Sequence, residues 1–141
     1  MQITRQADYA LRAMLYLSQL EPSRRAATSQ IAQEQHIPPS FLAKIISQLS
    51  IAGLIHTSRG ARGGVSLARS PEAISILDVV EAIDGPIALN ECSQTPGGCP
   101  YGDDCPLRSL WCGTQTELVE KLRKTSFASI LTKIPPVLQP A

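Results

Sequence analysis

The stretch TSQIAQEQHIPPSFLAKIISQLSIAGLIHTSRGARGGVSLAR, residues 28–69, decides the fold. Thr28 suits an N-cap, and Ile31 and Ala32 point inward on a short helix reaching Gln35. His36-Ile37-Pro38 forms the turn. Pro39 then takes the first position of the next helix, where its missing N–H costs nothing. Phe41, Leu42, Ile45, Ile46 and Leu49 recur at helical spacing as that helix's buried face, and Gly53 falls where a left-handed C-cap belongs. Two short helices joined by a tight turn, the second amphipathic, read as helix-turn-helix. Residues 54–58 and 65–69 pair as a hairpin around Arg59-Gly60-Ala61-Arg62-Gly63-Gly64, whose glycines supply positive φ. That hairpin is a wing with two arginines at its tip.

Working outward, residues 4–20 carry Ala7, Ala10, Leu11, Met14 and Leu15 at helical spacing, with Thr4 as N-cap and Pro22 as terminator. Ser75 and Asp78 resemble a capping box ahead of Leu77, Val80 and Ile83, and Gly85 stops that helix. A long helix is expected over 107–124. Its Leu107, Trp111, Thr114, Leu118 and Leu122 form one stripe close to a coiled-coil seam. Phe127, Ile130 and Leu131 suit a short extra turn, and 132–141 a flexible tail. The fold class is mainly α, a winged helix-turn-helix with a long added helix.

The 141 residues fit one domain, and the net charge of +1 says little by itself. Its distribution says more. Residues 1–70 hold eight Lys/Arg against three acids; residues 71–141 hold five against nine. A basic half joined to an acidic half fits a DNA-facing module with a regulatory module behind it, although ordinary surface charge gives the same count. No apolar run is long enough to span a bilayer and no basic-then-apolar leader precedes the first helix, so the chain reads as cytoplasmic with no membrane partner.

On the second helix of the motif, Ser40, Ala43, Lys44, Ser47 and Gln48 take the outward positions. Ser, Lys and Gln reach base edges or phosphates, and Ala43 suits a thymine methyl. Thr28 joins this DNA-binding set, and Arg59 and Arg62 suit a narrow minor groove. A solvated polar face beside a plain hairpin would carry the same pattern.

Cys92, Cys99 and Cys105 lie in a Gly/Pro-rich stretch without periodicity, residues 86–106, spaced C-x6-C-x5-C. In a reducing compartment such thiols are metal ligands or redox groups more often than structural disulfides. The gaps are too wide for a zinc knuckle, whereas a polynuclear cluster tolerates ligands from an open loop. Gly97, Gly98 and Gly102 let backbone approach cluster sulfurs. Free thiols, a regulatory disulfide or a zinc switch satisfy the same spacing. Cys112 reads as a small packed residue, with a ligand role open. No phosphate loop, paired-histidine zinc motif or C-x-x-C pair is present, so nothing points to an enzyme.

Assembled, these residues resemble the IscR/NsrR-type winged-helix regulators, iron–sulfur cluster-sensing bacterial repressors. The resemblance runs from Ile3 to about residue 130. It rests on Thr4, Tyr9-Ala10-Leu11-Arg12, Ile31-Ala32, Phe41-Leu42-x-x-Ile45 and Ala52-Gly53-Leu54-Ile55. It continues through Ser58-Arg59-Gly60-Ala61-Arg62-Gly63-Gly64-Val65-x-Leu67-Ala68, Ala82-Ile83-Asp84-Gly85-Pro86, and Cys105-Pro106-Leu107 with Trp111. The wing string is the most diagnostic.

The resemblance implies a homodimer on a pseudo-palindromic double-stranded operator. DNA binding would occupy 1–85, a cluster-binding loop 86–106, and the dimerisation helix with a short C-terminal helix 107–131. Cys92, Cys99 and Cys105 would hold an iron–sulfur cluster, 4Fe–4S in preference to 2Fe–2S, sensing redox state, nitric oxide or iron status. The assembly-regulator branch has a histidine ligand where this chain has Arg108. The nitric-oxide-sensitive branch uses a first-helix aspartate of the partner subunit, matching Asp8, which otherwise reads as a first-turn acid favoured by the helix dipole. Ala43 and Pro38 replace a glutamate and a DNA-contacting serine of the assembly regulator, so its operator cannot be borrowed. Two rival readings are the same fold with a thiol–disulfide or zinc switch, and a redox protein that binds no DNA.

Overall fold

The computed structural model describes residues 2–22, 24–90 and 104–133. Helix α1 (Arg5–Gln19) is capped by Thr4, whose hydroxyl accepts the Ala7 N–H at 3.1 Å. It ends at Gln19, before Pro22, where Leu20 turns extended. Its inner face is Ala7, Ala10, Ala13, Met14 and Leu17. Small residues at this spacing let neighbouring helices approach closely.

Helix α2 (Thr28–Glu34) corrects one expectation. Thr28 is its first helical residue and not its cap; Ala27 takes that position with no side-chain bond, so the first N–H groups of α2 face outward uncapped. His36 makes the turn at φ 54, the left-handed region. Helix α3 (Pro39–Ile51) begins at proline as expected, and Gly53 at φ 76 ends it while Leu54 N–H returns to the Leu49 carbonyl at 3.0 Å. Leu42, Ile45, Ile46 and Leu49 are buried. Phe41, expected inside, is exposed, with its ring edge-on to Tyr9 at 6.1 Å. Phe41 precedes Leu42 by one helical step, about 100° of rotation, which carries it off the inner stripe.

Strands β1 (Ile55–Ser58) and β2 (Gly64–Leu67) pair antiparallel, from Ile55 opposite Leu67 to Ser58 opposite Gly64. An isolated bridge beside β2 is not legible in the sequence. Ala26 and Val65 exchange both backbone bonds, at 2.9 and 2.8 Å, so one residue of the α1–α2 connection widens the wing sheet. Helix α4 (Ile76–Asp84) carries the complete capping box, Ser75 with Asp78, and stops at Gly85, φ 79.

Helix α5 (Pro106–Lys124) has no fully buried residue. The single stripe expected along it divides. Leu118 and Leu122, joined by Val119, pack on Leu77, Val80 and Ile87 of the same chain. Leu107, Leu110 and Trp111 remain 58%, 54% and 38% exposed. Helix α6 (Phe127–Leu131) returns to the first body: Phe127 N–H donates to the Ile74 carbonyl at 3.1 Å, Ile76 N–H to Thr125 at 2.9 Å, and the Phe127 ring is buried. The main core gathers Met14, Ile31, Leu42, Ile45, Leu49, Val65, Val79 and Phe127, each side chain contributing about 1.5–3 kcal/mol on burial. Among the described residues, no helix is long and apolar enough to cross a membrane.

Candidate nucleic-acid interface and cysteine segment

Helix α3 is held by its buried stripe, so its other side is left to solvent. Ser40, Ala43, Lys44 and Ser47 are exposed there, as the outward reading required. Gln48 is not: it is half-buried, and its Oε1 is enclosed without a hydrogen-bond partner among the described residues. An acceptor in that state is costly to leave unpaired, so its carboxamide favours turning toward any donor that arrives.

The exposed flank of α3 and the wing face each other across a groove of about 560 Å³. Ala43, Ser47 and Ile51 of α3 and Arg59, Gly60 and Gly63 of the wing line it, together with Thr28. Ser40, Lys44 and Arg62 are exposed but outside that lining. The wing turn depends on its glycines for two different reasons. Gly60 (φ +99) needs the conformation, Gly63 needs the space, since a Cβ there would meet the Ser58 carbonyl oxygen at 2.3 Å, and Gly64 (φ +145) needs both. Arg59 and Arg62 are thus displayed on a closed turn, Gly63 N–H to Gly60 carbonyl at 2.9 Å. Sequence reasoning missed a third arginine. Arg25 donates to Ser58 Oγ at 2.5 Å and to the Arg62 carbonyl at 3.5 Å.

Asp8 lies in the first turn of α1, half-exposed, and pairs with Arg12 at 2.8 Å. The same turn is fastened to α4 through Thr4 and Asp84. Cys105 is the N-cap of α5, half-buried, with no side-chain capping bond; its carbonyl accepts the Arg108 N–H at 3.1 Å. Cys112 is half-buried two turns on, near Gln115, whose Oε1 accepts the Leu89 N–H at 3.0 Å. Cys92 and Cys99 lie outside the described residues, and among the described residues no three His, Cys, Asp or Glu side chains gather to hold a metal. Of the four expected donors, Cys105 and Asp8 lie among the described residues; a cysteine sulfur suits iron–sulfur chemistry, and Asp8 is paired with Arg12.

The Rrf2 family, described as iron-dependent transcriptional regulator, matches residues 3–133. Rv1287 of Mycobacterium tuberculosis, provisionally named an HTH-type transcriptional regulator, is 34% identical over 131 residues, 92% of this chain and 81% of that protein. The HTH-type transcriptional regulator NsrR of Halalkalibacterium halodurans is 31% identical over 133 residues, 94% of this chain and 91% of its own. Among solved structures, CymR, the global cysteine regulator of B. subtilis, superposes with a TM-score of 0.81 at 26% identity, covering 96% of this chain and 99% of that one. T. potens IscR shares the fold, with a TM-score of 0.77 at 24% identity over 100% of this chain and 93% of that one.

Proposed function

The chain belongs to the Rrf2 family of transcriptional regulators, and from that premise we propose that it is a homodimeric repressor whose operator binding is controlled by an iron–sulfur cluster. The observation that carries the DNA half of this reading is the single groove bounded by the outer flank of α3 and the arginine-bearing wing. Helix α3 enters a major groove, with Ser40, Lys44 and Ser47 toward bases or phosphates and Ala43 toward a thymine methyl. Gln48 contributes once its carboxamide turns outward. Arg59 and Arg62 follow the backbone into the adjoining minor groove, and Thr28 contacts phosphate.

Two copies meet through Leu107, Leu110 and Trp111, the large apolar side chains that α5 leaves exposed. The cysteine segment ends at Cys105, one residue before that helix, so sensor and dimer face are contiguous in the chain. Cys92, Cys99 and Cys105 would hold the cluster, 4Fe–4S in preference to 2Fe–2S, with Asp8 of the partner subunit completing it. When bound, the cluster supplies a link between subunits that nitric oxide, oxygen or iron shortage breaks. Asp8 must exchange Arg12 for that role, and the competition makes it a readily released ligand. The spacing of the two α3 helices must match half-sites about one helical turn apart, roughly 34 Å, so a change at the subunit boundary shifts the fraction of DNA-competent dimers.

Protein purified without oxygen should be brown, with iron and sulfide in cluster proportion. Asp8→Ala should shorten the cluster's lifetime in air while leaving the fold intact; an unchanged lifetime removes Asp8 from the ligand set. A colourless protein after reconstitution favours the second reading, the same DNA-binding fold run by a thiol–disulfide or zinc switch. The likeness to the cysteine regulator CymR supports that alternative. In it, Cys105 and Cys112 cannot pair with each other, because seven residues of helix separate them by about 10 Å, beyond disulfide reach. Cys92 or Cys99 would have to supply the second sulfur.

A further inference from the structure

We infer that Arg25 is a wing-positioning residue, which holds the Arg59–Arg62 turn in the pose that α3 requires. The inference rests on the DNA-binding reading above. Three independent features converge on this residue. Its guanidinium donates to Ser58 Oγ at 2.5 Å, at the end of β1, and to the Arg62 carbonyl at 3.5 Å, within the turn. Its neighbour Ala26 exchanges two backbone hydrogen bonds with Val65 of β2. The backbone here is pressed against the wing so closely that a Cβ on Gly64 would lie 2.7 Å from the Ala26 carbonyl oxygen and 3.3 Å from Arg25 Cβ. The α1–α2 connection therefore grips the wing at its base through main chain and at its tip through one side chain.

A two-stranded ribbon by itself is only marginally stable. Arg25 joins the end of one strand to the turn that follows, so bending the wing away from α3 breaks both contacts. Both bonds leave one guanidinium nitrogen, Nη1, six bonds from Cα; a lysine keeps the charge, but its ammonium ends one bond nearer the backbone and falls short of the two acceptors. The brace also sets a third positive charge beside Arg59 and Arg62, so its bonding role and its charge role must be separated experimentally.

Arg25→Lys and Arg25→Gln separate them. Amide hydrogen exchange on the free full-length protein, read at Gly63 and Val65, reports the wing without reference to DNA. Both variants should raise exchange at Gly63 by roughly fivefold, the scale of one or two lost hydrogen bonds. Val65 should change little, because its bond to Ala26 is main chain, and the thermal midpoint should stay at the wild-type value. Ser58→Ala, which removes one acceptor, should reproduce part of the Gly63 effect. Affinity for a mixed-sequence duplex of about 30 base pairs, titrated against salt, should fall by a similar factor in both Arg25 variants. Wild-type exchange at Gly63 in either Arg25 variant overturns the brace. If Arg25→Lys binds DNA as the wild type does while Arg25→Gln loses about one unit of salt slope, Arg25 is a phosphate contact and the inference is wrong. If the wild type binds no duplex at all, the DNA-binding reading fails, and the exchange data still decide the brace.

Discussion

The carboxylate of Asp84 accepts both the backbone N–H of Thr4, at 3.2 Å, and its hydroxyl, at 2.5 Å. The last residue of α4 is thereby fixed to the N-cap of α1, eighty positions earlier in the chain. Thr4 uses the same hydroxyl oxygen to receive the Ala7 N–H. One junction thus starts α1, ends α4, and lies one turn from Asp8 and one residue from Gly85, where the chain departs toward the cysteine segment.

Thr4→Ala removes the cap and the hydroxyl bond to Asp84 while keeping the backbone N–H bond, and should cost about 1 kcal/mol. Asp84→Ala removes both bonds to Thr4 and spares the cap. A double-mutant cycle by urea denaturation should show a coupling of roughly 0.5 kcal/mol or more, since the two residues share one interaction. Strict additivity would mean that the contact contributes nothing in solution.

Gly63→Ala should damage the wing turn. The added methyl would meet backbone, which cannot rotate aside, and the turn must reopen at a cost of about 1–3 kcal/mol. Circular dichroism should retain the helices while duplex affinity falls. Unaltered DNA binding would show that the turn adapts freely.

Tyr16 is buried, and burial, reinforced by the Glu34 carboxylate and opposed by Arg24, holds its phenol above the ordinary value of 10.0. Above that value the unfolded chain releases the phenolic proton while the folded chain still keeps it. Stability present below pH 10 is therefore lost as pH rises toward the folded value. Tyr16→Phe should show a shallower fall in urea midpoint between about pH 9 and pH 11 than the wild type. Parallel pH profiles would contradict the burial assigned to this ring.

Leu110→Lys places a charge in the exposed half of α5 while sparing Leu118, Val119 and Leu122, which pack on α4. Light scattering should show the dimer dissociating at least ~30-fold more readily, as for the loss of a central interface anchor. A dimer of unchanged strength would place the subunit contact elsewhere.

Much of this was legible because it is local. Proline at the start of α3, glycine after its end, and Ser75 with Asp78 around the first turn of α4 each act within a few residues, so sequence spacing is enough to see them. The wing is legible from its glycines, although spacing cannot separate Gly60, which needs positive φ, from Gly63, which needs room, or from Gly64, which needs both. Spacing offers Thr28 as the cap of α2, one residue late, because Ala27 starts the helix without the side-chain bond that marks a cap in sequence. Phe41 is apolar and Gln48 polar, which points one inward and the other outward, yet each lies at the edge of the stripe, where hydrophobicity and geometry disagree. Cys105 was found with its neighbours by composition, and the structure gives it the N-cap of α5.

The sequence by itself determined the order of elements, the helix-turn-helix with its wing, and the residue types available for DNA and for a cluster. These follow from helical and strand periodicity and from cap and turn chemistry, all set within a turn or two. Only the tertiary structure decided what each face meets. It placed Ala26 beside Val65, Arg25 over Ser58, Phe127 beneath Ile74, and Asp84 on Thr4. It also split α5 into a half that packs on α4 and a half left exposed. Periodicity assigns a residue to a face, but the partner of that face comes from contacts between distant segments, whose closure no local rule encodes.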